Sequence, residues 1–254
     1  MQFVPCNDIV SSHLSNEANM STENEIQIDS RVTASLHPGV VDALDPDGVE
    51  AGVLAPTRAA FALAYNAISK MHTARAVASK DPTMTEATMT IAVADMGDRL
   101  MDKVTREFDS VRANLVKGID ALEASLRRPV EVQGAASVSA EIRAHIARMA
   151  PGERMEFLRK RIQAGDTITA SAALGAPGYL SGIEDEVQTV LTRMFHERNS
   201  PDTARRLKAM QAARDLIEGN APLTFKERDK AVGKHPGQVK LLRDAHAKTR
   251  AALA

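Results

Sequence analysis

Residues 164–187, AGDTITASAALGAPGYLSGIEDEV, hold the densest run of turn-forming residues in the chain. Gly175, Pro177, Gly178 and Gly182 surround Tyr179, Leu180 and Ser181. A glycine-rich loop of this kind does chemistry when its backbone N–H groups cradle a phosphate. That requires either GxxxxGK[ST] after a buried strand, or GxGxxG opening the helix of a βαβ unit. Here a helical pattern precedes the loop, no lysine follows the last glycine, and no strand pattern is adjacent. The residues instead spell a corner between two helices. Gly175 stands where a helix C-cap belongs, Pro177 forbids continuation, and Ser181 opens the next helix with a Ser-x-x-Glu capping box. Tyr179 and Leu180 are then expected to anchor the corner by packing.

The other reactive side chains are scattered. The seven histidines (13, 37, 72, 145, 196, 235 and 246) include no pair spaced three or four apart. There is no HExxH and no CxxC, so no metal site is expected. Cys6 is the single cysteine and lies in a polar arm, and no nucleophile elbow occurs. Glu184, Asp185 and Glu186 form an acidic trio that suits the first turn of a helix, where the dipole favours carboxylates. No catalytic residue, cofactor site or metal ligand emerges, and the chain reads as a non-enzyme. An enzyme whose site is assembled from distant segments is the weakest alternative.

Charge is the stronger signal. Residues 1–57 contain nine acids against Arg31, a balance of −8, whereas residues 193–254 contain fourteen Lys/Arg against seven acids, a balance of +7. The body between them has seventeen of each sign. Within the basic tail, Arg205, Arg206, Lys208 and Arg214 are candidate contacts to phosphate or to acidic protein surfaces. Glu227, Asp229 and Asp244 interrupt the tail, and no aromatic residue alternates with its cations to stack on bases. Protein contacts are therefore the preferred reading and nucleic acid the alternative. The acidic arm is a natural occupant of the basic tail of a neighbouring copy.

The elements that position these residues are helical. Aromatics are only 3% of the chain and tryptophan is absent, so Ala, Leu, Met and Val must fill the interior, which suits closely packed helices. Residues 1–56 show no sustained period and read as an extended, flexible arm, with Met20 as a second plausible start of translation. A helix is expected from Pro56-Thr57 to the break at Asp81-Pro82. Thr83-x-x-Glu86 then caps a rod that runs to Arg128-Pro129, about 45 residues or on the order of 70 Å. Its apolar stripe runs Val93, Met96, Leu100, Val104, Phe108, Val111, Leu115, Ile119, Leu122, Leu126. The nine steps average about 3.67 residues, the eleven-residue period of a nearly straight stripe. Helix 57–80 is half the rod's length, so Val104, Phe108, Val111, Leu115, Ile119, Leu122 and Leu126 are the expected interface with the C-terminal domain or with another subunit.

After the linker VEVQGAAS, helices are expected at 139–149, 151–164, after Asp166, 181–198, 201–218 and 224–254. Gly219-Asn220 stops the fifth, Thr224-x-x-Glu227 caps the sixth, and Gly233–Gly237 interrupts it. The fold class is thus all-α: a long helical hairpin (57–129) followed by a small helical bundle (138–254) with a basic tail, preceded by the extended arm (1–56). No basic-then-apolar leader is visible, and no apolar run is long enough to cross a bilayer, so no membrane contact is expected.

Segment 141–187 resembles uncharacterised proteins encoded by tailed phages and prophages. The shared elements are the PGER helix start, AGD, and LGAPGYLSGI followed by an acidic helix. The resemblance covers about a fifth of the chain and carries no catalytic motif. It implies a phage context, with the protein made in the bacterial cytoplasm and carried in the virion as a structural or assembly component. Its expected partners are further copies of itself or other particle proteins. The alternative within that context is a nucleic-acid-binding or regulatory protein acting through the basic tail.

Overall fold

The computed structural model describes residues 28–134 and 138–254. Most of the expected acidic arm, with Cys6, His13 and the second start at Met20, lies outside these residues. Among the described residues the fold is all-α, as the sequence predicts. A 3-10 turn at Ala34–Leu36 leads to α1 (Gly39–Asp42), α2 (Ala51–Ala78), α3 (Glu86–Gly134), α4 (Ser139–Ala147) and α5 (Pro151–Ala164). Then follow α6 (Thr167–Leu174), a second 3-10 turn at Gly178–Leu180, α7 (Asp185–Asn199), α8 (Pro201–Val232) and α9 (Pro236–Ala252).

At three points a helix runs past an expected boundary, because packing outweighs the local signal. α2 begins five residues before Pro56. The ring costs the bond to the Gly52 carbonyl, which lies at an exposed position, while Leu54 of the same stretch is buried in the core. α3 continues through Pro129 to Gly134, because Val130 is buried in a second core. α8 does not stop at Gly219-Asn220; it runs through Pro222 to Val232, with Ile217, Thr224, Ala231 and Val232 buried. Thr224 is no N-cap: its hydroxyl donates to the Ala221 carbonyl at 2.6 Å. At the start of α3 the cap is Thr85, whose Oγ1 accepts from the Thr88 N–H, while Thr83 bonds back to Asp81. Gly165 and Gly233 end α5 and α8 in the left-handed conformation, φ 78° and 75°.

α2 and α3 form the expected hairpin, and α8 returns along both to make a three-helix bundle. Its register against α3 is antiparallel: Arg228 pairs with Asp98, Arg112 with Glu218 at 2.7 Å, and Gln211 bonds Glu123 at 3.1 Å. α9 then turns and runs parallel to α3, with Lys234 on Glu86 at 3.0 Å and Arg243 on Asp95 at 2.6 Å. The hairpin and the C-terminal segment therefore share one core. At Gly97 and Gly118 of α3 the missing Cβ atoms leave seats for the tips of Met71 and Met210. The second core gathers Val130 of α3 with Ile146, Leu158, Ile162, Ala173, Leu191 and Phe195 from α4 to α7.

The part of the arm that is described, residues 28–50, is not extended. It forms a strap across α2 and α8, with Leu36 and Val41 fully buried. Glu50, 5% exposed, accepts from Arg206 of α8 at 3.2 Å. Acidic arm and basic tail do meet, but within one chain.

Candidate functional site

The corner at 165–184 is built from close backbone approaches. A Cβ on Gly175 would stand 2.5 Å from the Val130 carbonyl oxygen, and one on Gly178 would stand 2.5 Å from that of Ile183. Gln188 Nε2 donates to the carbonyls of Leu174 (3.2 Å) and Ala176 (2.9 Å). Arg154 collects the carbonyls that end α4, those of Ile146, Ala147 and Met149, and also that of Gly182. The carbonyls of Leu174, Ala176 and Gly182 are thus spent on holding helix ends together, which fits the corner reading. Two details differ. Ser181 does not cap α7: its hydroxyl is buried without a partner, and the N-cap is Glu184, with Asp185 and Glu186 in the first turn. Tyr179 and Leu180 do not pack the corner; they are 77% and 44% exposed, carried outward by the 3-10 turn.

The apolar stripe is covered inside the chain. Val104, Phe108, Val111, Leu115, Ile119 and Leu126 are all buried, and Leu122 is half-buried. Phe108 meets Phe61 of α2 edge-on at 5.3 Å, and α8 covers much of what α2 is too short to reach. These residues form the interface of α3 with the chain's own helices. Their apolar surface is taken up by α2, α8 and the second core, and the 14 residues that α8 gains beyond Glu218 extend this cover toward Asp98.

The four basic candidates do not form one surface. At 100° per residue, positions 205, 206, 208 and 214 point to different sides of α8. Arg205 pairs with Asp202 at 2.5 Å, Arg206 with Glu50, and Arg214 with Asp215 at 2.7 Å. Lys208 is exposed and faces a groove.

That groove has a volume of about 1180 Å3. α3 and α7 scarcely touch each other here, and α8 lies between them. The α6–α7 corner closes one end through Gly175 and Pro177. Leu126, Val130, Val190 and Leu207 supply apolar lining, while Glu123, Glu131, Glu197, Arg127 and Arg193 rim it. His196 is half-buried on one wall, and desolvation holds its pKa below the ordinary histidine value. No group of three or more His, Cys, Asp or Glu among the described residues is arranged to hold a metal ion. No described helix is long and apolar enough to cross a membrane.

A second polar cluster fastens the strap. Tyr65 Oη accepts from the Asp29 N–H at 2.6 Å and donates to the Asp29 carbonyl at 3.1 Å. Ser69 Oγ donates to the Asp29 carboxylate at 2.6 Å, and Arg31 donates to it through Nε and Nη2 at 2.8 and 2.7 Å. These bonds, those of Arg31 foremost, hold the Asp29 carboxyl well below the usual carboxylate range. From α8, Glu227 accepts from the Thr33 N–H at 3.3 Å and Lys230 donates to the Arg31 carbonyl at 3.1 Å. Sequence reasoning missed this cluster because its members come from three segments with no common motif. The one local signal was the spacing of Tyr65, Ser69 and Thr73, which stacks three hydroxyls on one helix face.

No protein-family model matches the chain, and neither does any curated protein or solved structure.

Proposed function

We propose that the protein works by docking to other proteins, as a structural or assembly component of a phage particle, without chemistry of its own. The observation that carries this reading is an unfilled groove paired with an exposed helix end in the same chain. Every residue of α9 from Asp244 to Ala252 is exposed, and Leu241, just before them, is 71% exposed. Leu241, Ala245, Lys248 and Ala252 share one face. The groove between α3 and α7 has an apolar lining and a rim of both signs, with Glu123, Glu131 and Glu197 beside Arg127, Arg193 and Lys208. Insertion of α9 of one copy into the groove of the next brings Lys248, which lies on the inserted face, toward those acids. Such a head-to-tail contact closes into a ring or extends into a helical array, the usual forms of a particle component. The phage setting rests on the resemblance of segment 141–187. Nucleic-acid binding through α8 has less support, because Arg205, Arg206 and Arg214 are already paired with carboxylates.

Sedimentation of two variants tests the docking. Leu241→Asp disables the helix end and Val190→Asp the groove, both at exposed positions. Each variant alone should be monomeric, and their equimolar mixture should form a dimer and nothing larger. An unmutated protein that stays monomeric at high concentration overturns self-assembly. Mass spectrometry of purified particles separately tests the phage setting.

A further inference from the structure

His72 sits inside the cluster that fastens the strap. It follows Ser69 by three residues on the same face of α2, beside Thr73, whose hydroxyl accepts from Arg31 at 3.1 Å. Its Nε2 is sealed from solvent and has no hydrogen-bond partner. Four charges surround the ring: Asp29 and Arg31 from the strap, Glu227 and Lys230 from α8. The two signs already balance through the Arg31–Asp29 and Lys230–Glu227 pairs. A proton on Nε2 would create a buried donor with no acceptor and a third cation beside Arg31 and Lys230.

We propose that His72 makes the strap's outer end an acid-sensitive latch, whose closure over α2 and α8 at residues 28–33 requires a neutral imidazole. The outer end is the part a single charge can release. Its only buried apolar residue is Val32, and Ile28 is 86% exposed, whereas Leu36 and Val41 hold the inner strap at 0% and 1% exposure. Burial, with Arg31 next, depresses the His72 pKa in the closed state. The open state therefore binds the proton first. Closure is fully favoured above the ordinary histidine value of about 6.5 and weakens as pH falls below it, toward the closed-state pKa. Asp29 stays ionised through this window, so it does not produce the response. The other histidine of the region is His37, whose Nδ1 accepts from the Gly39 N–H at 3.1 Å and whose ring meets Tyr65 at 5.1 Å.

Hydrogen exchange of the full chain at pH 7.5 and 5.5, corrected for intrinsic rates, tests the latch. Protection of amides 28–33 should fall several-fold at the lower pH while that of amides 60–68 holds. His72→Gln should abolish the difference and His37→Gln should preserve it. NMR titration of the unmutated protein gives an independent readout, in which the shifts of amides 28–33 should follow the His72 imidazole with one midpoint. Protection of 28–33 that is independent of pH overturns the proposal. So does a response that survives His72→Gln, one that His37→Gln removes, or amide shifts that ignore the His72 midpoint.

Discussion

Two alanine substitutions at glycine should act in opposite directions, and the difference follows from what surrounds each site. At Gly175 an added Cβ meets backbone on two sides: the Val130 oxygen at 2.5 Å and the Ser171 oxygen at 2.8 Å. Neither atom is the tip of a flexible side chain. Relief requires α3 to move away from the end of α6, and Val130 and Leu174 are both buried in the second core. Overpacking of this kind costs about 1–3 kcal/mol. For a chain of this size each kcal/mol lowers the melting temperature by about 2–4 °C, so Gly175→Ala should fall by about 2–12 °C. Gly219 lies inside α8 with nothing within 4 Å of its added Cβ. There alanine only restricts the unfolded chain and favours the helix, a gain of about 0.5–1 kcal/mol and a rise of about 1–4 °C. Thermal unfolding followed by circular dichroism measures both. A Gly175→Ala variant as stable as the parent would mean that the α3–α6 contact is not tight. A Gly219→Ala variant of lowered stability would mean that α8 is not continuous there.

Leu115→Asp should unfold the protein rather than yield a folded monomer, because Leu115 is 4% exposed within the chain; circular dichroism and light scattering together distinguish these outcomes. Arg206→Ala strips the buried Glu50 of its ion-pair partner and should cost about 1–3 kcal/mol in chemical denaturation, reduced by the exposure of Arg206. His196 carries a pKa lowered by burial, so its contribution is present above the ordinary histidine value and is lost as pH falls below it. In His196→Phe the fall in stability between pH 7 and 5 should be shallower. Binding of double-stranded DNA should be absent near physiological salt; measurable retention that is lost when Arg205, Arg206, Lys208 and Arg214 become Gln restores the nucleic-acid reading.

The α3 stripe was legible because one helix face repeats over ten residues, a signal that needs no knowledge of the partner. Its cover was not. Gly219-Asn220 and Pro222 argue locally for a stop, at about 1 and 3 kcal/mol, yet burial of Ile217, Thr224 and Val232 offsets that cost through contacts with distant residues. The same blindness left open whether the stripe meets the chain's own C-terminal helices or another subunit. Gly165 and Gly233 were readable as helix ends because left-handed backbone selects glycine directly. Ser181 fitted a capping pattern, but burial in the corner diverted it, and the cap fell to Glu184. Nothing in a linear reading joins Asp29, His72 and Glu227. The groove is likewise a gap between helices, defined by where α3 and α7 diverge and not by any motif.

The antiparallel return of α8 along α3 also sets an order of events during synthesis. The stripe is complete once Leu126 has been added, but its cover is complete only at Val232, about 106 residues later. At about 5–20 residues per second the ribosome exposes an apolar rod that only α2 can cover, and only in part, for roughly 5–20 s. The strap waits as long, since Glu227 and Lys230 are among its last fasteners. Nascent chains stalled before residue 200 should therefore be protease-sensitive and prone to aggregate, and stability should appear abruptly once α8 has cleared the exit tunnel.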